Sequence, residues 1–129
     1  MHHRLILIAV IALSTLLMGA KAAPRSSLEG YWKGSGTISA KSGTDRVLCR
    51  VRVKRSGGSS FSVSATCTTE SGRYQLSGTV RSAGGGRYSG TVHAGGKGGG
   101  RVHISQSGSR ASVTATGGGG SARLSLSKL

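Results

Sequence analysis

Acidic residues are nearly missing from this chain. Among 129 residues there are three, Glu29, Asp45 and Glu70. So few carboxylates leave little room for an acid–base pair. Asp45 and Glu70 both fall in turn-like stretches, where such residues are ordinary. Serine is abundant, yet no serine stands in a nucleophile elbow or beside a His/Asp arrangement that would activate it. The chain is therefore read as a non-enzyme, with no catalytic residue. Aromatic residues are scarce too, with one Trp, one Phe and three Tyr. Readers of single-stranded nucleic acid interleave exposed aromatics with basic residues. The alternation described below points only Tyr31 outward, so no specific nucleic-acid partner is expected. Cysteine is limited to Cys49 and Cys67, too far apart for a CxxC motif. Four histidines are present, and His2 and His3 belong to the extreme N-terminus. His93 and His103 fall on the polar faces of neighbouring strands, and one register would set them opposite each other. Two imidazoles alone make an incomplete metal site, so neither a metal nor a cofactor is expected.

What the chain has instead is basic charge, glycine and a period of two. Its first residues read as a targeting signal: Met1 to Arg4 is a short basic start, Leu5 to Leu17 is apolar apart from Ser14 and Thr15, and Ala20-Lys21-Ala22 is a small-x-small cleavage pattern. Cleavage is expected after Ala22, because Pro24 would follow a cut after Ala23. The apolar run is short for a membrane span. The division expected is a signal peptide over 1–22, a loose leader over 23–29 and one β-domain over 30–129. The formal net charge is +15, and cleavage would remove only Arg4 and Lys21 from the basic side. An exported protein enters an oxidising compartment, the periplasm or the exterior, where paired cysteines form disulfides.

Glycine supplies 23 residues, a composition that by itself would suit disorder. The stretch Arg46 to Thr69 argues otherwise. Val47, Cys49, Val51 and Val53 alternate on one face of a first run. Phe61, Val63, Ala65 and Cys67 alternate on one face of a second, which is the pattern of half-buried strands. Folding the pair about Gly58 sets Cys49 opposite Cys67, Val51 opposite Ala65 and Val53 opposite Val63. The two cysteines then meet on the apolar face as a disulfide, and Glu70 and Arg73 can face each other across the next turn.

Turn signals recur at roughly ten-residue spacing, the interval of all-β sandwiches and barrels. The strands expected are Gly30 to Ala40, the cysteine hairpin, Arg73 to Ser82, Arg87 to Ala94, Arg101 to Ser107, Arg110 to Thr116 and Ser121 to Leu129. The fold class is all-β, an antiparallel meander of about eight short strands closing into an up-and-down barrel of the calycin type, with an open β-sandwich as the alternative. A sequence Ser-Gly-Thr followed by Ile or Val recurs at Ser35–Ile38, Ser77–Val80 and Ser89–Val92. Its glycine falls on the inward face, as at the corner of a barrel; low complexity in a Gly/Ser-rich chain is the alternative. Arg50, Arg52, Lys54, Ser62, Ser64, Thr79, Arg81, Ser112 and Thr114 fall on the outward face, which excludes an outer-membrane barrel with its apolar exterior.

Two candidate sites follow. Arg46, Arg50, Arg52, Lys54 and Arg55 line or flank the outer face of the second strand and form the anion-binding candidate. Trp32, Tyr74 and Tyr88 face inward and are the candidate contacts for a small ligand in the barrel interior.

The opening Gly30-Tyr31-Trp32-Lys33-Gly34-Ser35-Gly36, then Cys49-Arg50, then Cys67 a hairpin later, resembles a group of small, mostly uncharacterised exported proteins of Gram-negative bacteria. They share a G-x-W-x-G-x-G start, a Cys-Arg strand and a second cysteine. The resemblance implies the β-fold and the export, and supplies no activity. The group's fifth strand often carries a tryptophan and an acid. Val92 and Ala94 stand in that region here, so a function tied to those residues does not carry over. The leading expectation is a cationic β-barrel of the cell envelope, binding or structural, that contacts anionic partners such as lipopolysaccharide, lipid headgroups or acidic polysaccharide. A carrier of a small apolar ligand is the first alternative. A periplasmic enzyme inhibitor is the second, although a basic lysozyme would be repelled.

Overall fold

The computed structural model describes residues 27–95 and 98–129. The signal peptide expected over 1–22, the first part of the 23–29 leader, and Lys97 lie outside the described residues. Eight strands follow one another: β1 Gly30–Ala40, β2 Gly43–Gly57, β3 Ser60–Thr69, β4 Gly72–Gly84, β5 Arg87–His93, β6 Gly99–Ser107, β7 Arg110–Gly117 and β8 Gly120–Lys128. Each pairs antiparallel with the next, and β1 also pairs with β8, so the sheet closes as an up-and-down barrel. That last pairing decides against an open sandwich, and among the described residues it leaves no strand edge to recruit another chain.

The alternation of the sequence is the alternation of burial. On β2, Val47, Cys49, Val51 and Val53 are buried, while Arg46, Leu48, Arg50, Arg52 and Lys54 between them are exposed. The hairpin register is the one the sequence dictates, with Cys49 opposite Cys67, Val51 opposite Ala65 and Val53 opposite Val63. Cys49 and Cys67 are disulfide-bonded, with their Cα atoms 4.1 Å apart. The strands are strongly tilted. A row that begins at Tyr31, near the start of β1, passes through Arg52, Ser64 and Ser77 and arrives at His93, the last residue of β5. Such tilt is required to close a sheet into a barrel.

Glycine marks two seams where neighbouring backbones approach most closely. A Cβ on Gly34 or Gly36 of β1 would overlap the carbonyl oxygens of Ser125 or Arg123 on β8. A Cβ on Gly78 of β4 would overlap Thr91 O, and one on Gly90 of β5 would overlap Thr79 O. Gly36, Gly78 and Gly90 are the glycines of the Ser-Gly-Thr repeat. On the β4–β5 seam two copies face each other, with Gly78 opposite Val92 and Gly90 opposite Val80. The repeat is thus a corner motif, placed at two seams half a circuit apart.

Three local readings are corrected by the register. The β3–β4 turn is Glu70-Ser71, one residue earlier than expected, so Arg73 lies opposite Thr68 rather than Glu70. His103 pairs with Ser89 and His93 with Gly99, so the two histidines are not opposite each other. Leu28, assigned to a loose leader by its position before the first turn signal, has its side chain in the core.

Candidate functional site

The barrel is closed at one end and hollow toward the other. The closed end is built by the segment before β1. Leu28 is 2 % exposed and Trp32 1 % exposed, and the Trp32 indole N–H donates to Leu28 O at 2.9 Å. The Ser27 carbonyl oxygen accepts from Lys128 Nζ at 2.6 Å and from Gln106 Nε2 at 3.2 Å. The Lys128 ammonium also lies 5.5 Å from the Trp32 ring centroid, within cation–π range. Beside them Phe61 and Tyr88 meet edge to face at 5.5 Å, and Tyr88 OH donates to Gln106 Oε1 at 3.3 Å. This floor concentrates the large side chains of the interior.

Above it the inward positions are aliphatic, several of them Val or Ala beside Ile38, Leu76 and Leu124. Val47, Val51, Ala65, Val92, Ala115 and Ala122 enclose a space of about 420 Å³ that reaches from Leu28 and Trp32 to Gly98, Gly118 and Gly120 at the far end. The volume lies in the range of ligand pockets. Its wall includes both cysteines, so the disulfide also faces the space. No polar or charged side chain is buried among the described residues. The few polar side chains on the lining, those of Ser39, Thr116, Ser121 and Tyr74, are all exposed and stand toward the mouth. A polar atom carried deep inside would lose its water and find no partner, at a cost of about 1–3 kcal/mol. An apolar group has no such penalty, and lined cavities of this chemistry stay dry.

Two of the three interior candidates read from sequence face this space. Trp32 is on its floor and Tyr74, 42 % exposed, stands at its mouth. Tyr88 does not line it, because its ring packs on Phe61 and its hydroxyl is held by Gln106. Leu28 was missed. Its signal was the parity it shares with Trp32, two places before the alternation was taken to start.

The anion-binding candidates also divide. Arg46, Arg50, Arg52 and Lys54 share the outer face of β2. Arg55 does not join them. It has the inward parity of Val51 and Val53 and pairs with Phe61 at the closed end, where its guanidinium sits 4.9 Å from the Phe61 ring centroid and donates to Gly58 O at 2.7 Å. Its backbone N–H donates to Glu29 Oε2 at 3.3 Å. Lys33, which sequence reasoning did not single out, lies directly opposite Arg50, and Tyr31 lies opposite Arg52. His93 and His103 are exposed, and no group of three or more potential metal ligands occurs among the described residues.

The chain matches no protein-family model and no curated protein sequence. Solved structures match it in fold. A redesigned β-barrel, mFAP1, bound to DFHBI, superposes with a TM-score of 0.65 at 12 % identity, over 79 % of this chain and 94 % of that one. A second redesigned barrel, mFAP0, also bound to DFHBI, gives 0.63 at 17 % identity over 78 % and 98 %. A de novo designed fluorescence-activating β-barrel gives 0.63 at 10 % identity over 79 % and 94 %.

Proposed function

We propose that this protein binds a small apolar ligand inside its barrel and works outside the cytoplasm. The observation that carries the reading is the space of about 420 Å³, floored by Leu28 and Trp32 and without a buried polar side chain along its wall. A core of this size filled with side chains would be more stable than a hollow one, because unfilled volume costs roughly 24 cal/mol per Å³ in engineered cavities. Ligand binding would offset that cost. The barrels mFAP1 and mFAP0 share the fold and are bound to DFHBI, which supports the use of such a barrel as a container. The Cys49–Cys67 disulfide is compatible with an oxidising compartment, and with the N-terminal signal it supports export to the periplasm or beyond.

Trp32 is the only tryptophan and lies on the cavity floor, so its fluorescence reports occupancy. Titration with the neutral dye N-phenyl-1-naphthylamine should quench Trp32 and saturate at one dye per chain. Ala65 lines the space between Val51 and Leu76, and Ala65→Phe should take up part of it and weaken binding. Dye uptake by a folded Ala65→Phe variant equal to that of the parent would sink the reading.

A further inference from the structure

The outer wall of β1 and β2 combines two properties that a solvated face does not need together. Lys33, Arg46, Arg50, Arg52 and Lys54 are exposed on it. No acid shares the wall. Asp45 falls on the inward parity, opposite Ile38, and accepts from Ser71 Oγ at 3.5 Å. Lys33 and Arg50, like charges, are direct cross-strand neighbours. On the other side β3 sets only Thr66, Ser64 and Ser62 against Arg50, Arg52 and Lys54, small groups that leave the cationic heads uncovered.

The second property is apolar. The large hydrophobic residues most exposed in the described chain are Leu129, Leu48, Tyr31 and Tyr74. Two of them, Leu48 at 64 % and Tyr31 at 58 %, stand on this same wall. Leu48 projects between Arg46 and Arg50 in the outward alternation. Tyr31 has the Arg52 guanidinium 5.7 Å from its ring centroid.

We propose that this wall docks on the anionic surface of a phospholipid bilayer. A soluble polyanion would satisfy the cations and offer nothing to Leu48. A bilayer supplies phosphate to the cations, a headgroup layer suited to the amphipathic ring of Tyr31, and an acyl boundary for the leucine. The far end of β1, Ile38 to Ala40, belongs to the mouth of the interior space. A barrel lying on β1 and β2 therefore sets that mouth beside the bilayer. The docking face stands on its own observations and does not depend on the cavity being a binding site.

Vesicle co-sedimentation tests it, with phosphatidylcholine alone or mixed with phosphatidylglycerol, and inorganic polyphosphate as the soluble polyanion. Binding should require phosphatidylglycerol and weaken as salt screens the charges. Replacing Arg50, Arg52 and Lys54 together by Gln should weaken vesicle binding about a hundredfold, at roughly one headgroup interaction per cation. Leu48→Ser should weaken it about fivefold, through lost apolar burial, and leave polyphosphate binding unchanged. All these positions are exposed, so each variant should keep the parent urea midpoint, which is checked alongside. Equal binding to pure phosphatidylcholine overturns the proposal, as does no binding to either vesicle. Loss of vesicle binding in the triple variant with none in Leu48→Ser or Tyr31→Ser also overturns it, and assigns the wall to soluble polyanions instead.

Discussion

The indole N–H of Trp32 donates to the carbonyl oxygen of Leu28 at 2.9 Å, and this bond ties the first strand to the segment that seals the barrel. The acceptor is a backbone group of a residue 2 % exposed, so no water can readily replace the donor if it is lost. The Leu28 side chain completes the floor from below. Leu28→Ala should cost about 2 kcal/mol, the low end for a buried leucine because the site lies at the end of the barrel. That corresponds to a fall in melting temperature of about 10 °C. Trp32→Phe should cost a similar amount by removing the donor and leaving Leu28 O unpaired. Thermal unfolding followed by circular dichroism measures both. A loose leader would show no change on Leu28→Ala.

The seam glycines make a sharper prediction. At Gly36 and Gly90 an added methyl would meet the carbonyl oxygens of Arg123 and Thr79, which are backbone atoms and cannot swing aside. Gly36→Ala and Gly90→Ala should each destabilise by about 3 kcal/mol, the upper range for overpacking. Ser35→Ala, next to Gly36 but outward, should be neutral within about 0.5 kcal/mol. Urea denaturation with the two glycine variants and the serine control separates close approach from a general intolerance of β1. If Gly36→Ala matched Ser35→Ala, the seam would not need glycine.

Much of this was legible in the sequence because a strand's side chains alternate without drift. The cysteine hairpin has one register that places Val53 on Val63, and one slip would turn the whole apolar set outward. The extent of β1 and the disulfide follow from that rule, whereas the close approach at the seam glycines does not, since an inward glycine equally suits low complexity. Closure was less legible, since the β1–β8 pairing joins residues at opposite ends of the chain with no local signal. Tyr88 was placed inside by parity, but its ring lies on Phe61 and not on the wall of the interior space. Parity gives the face, while depth along a tilted barrel depends on stagger accumulated over several strands. Arg55 was grouped with the outer cations as a flank of their face, yet it shares the parity of Val51 and Val53 and pairs with Phe61, so the alternation itself already set it apart.

The disulfide should contribute stability through the chain it closes. Cys49 and Cys67 are separated by 18 residues, a loop length for which the chain-entropy treatment gives about 3 kcal/mol. The pair Cys49→Ala, Cys67→Ala should therefore lose about 3 kcal/mol in urea, and reduction of the parent should shift its midpoint in the same direction. Both cysteines are 3 % exposed, so reduction should be slow in the folded state and fast once urea opens the barrel. An unchanged midpoint in the double variant would show that the hairpin register is held by the sheet alone.

The neighbouring cations on the outer wall allow stability and binding to be set against each other. Lys33 and Arg50 are directly opposed across β1 and β2, and like charges so placed are mildly destabilising. Lys33→Glu replaces that repulsion with a cross-strand ion pair. The folded state should gain about 0.5 kcal/mol, modest because the pair is exposed and screened. Binding to anionic vesicles should fall further than in Lys33→Gln, since the substitution both removes a cation and occupies Arg50. A gain in stability with a loss of binding is the outcome expected if the wall keeps its uncompensated charge for a partner. A loss of stability in Lys33→Glu would mean that Lys33 already has a favourable role within the fold, and that the repulsion read from the register is not felt.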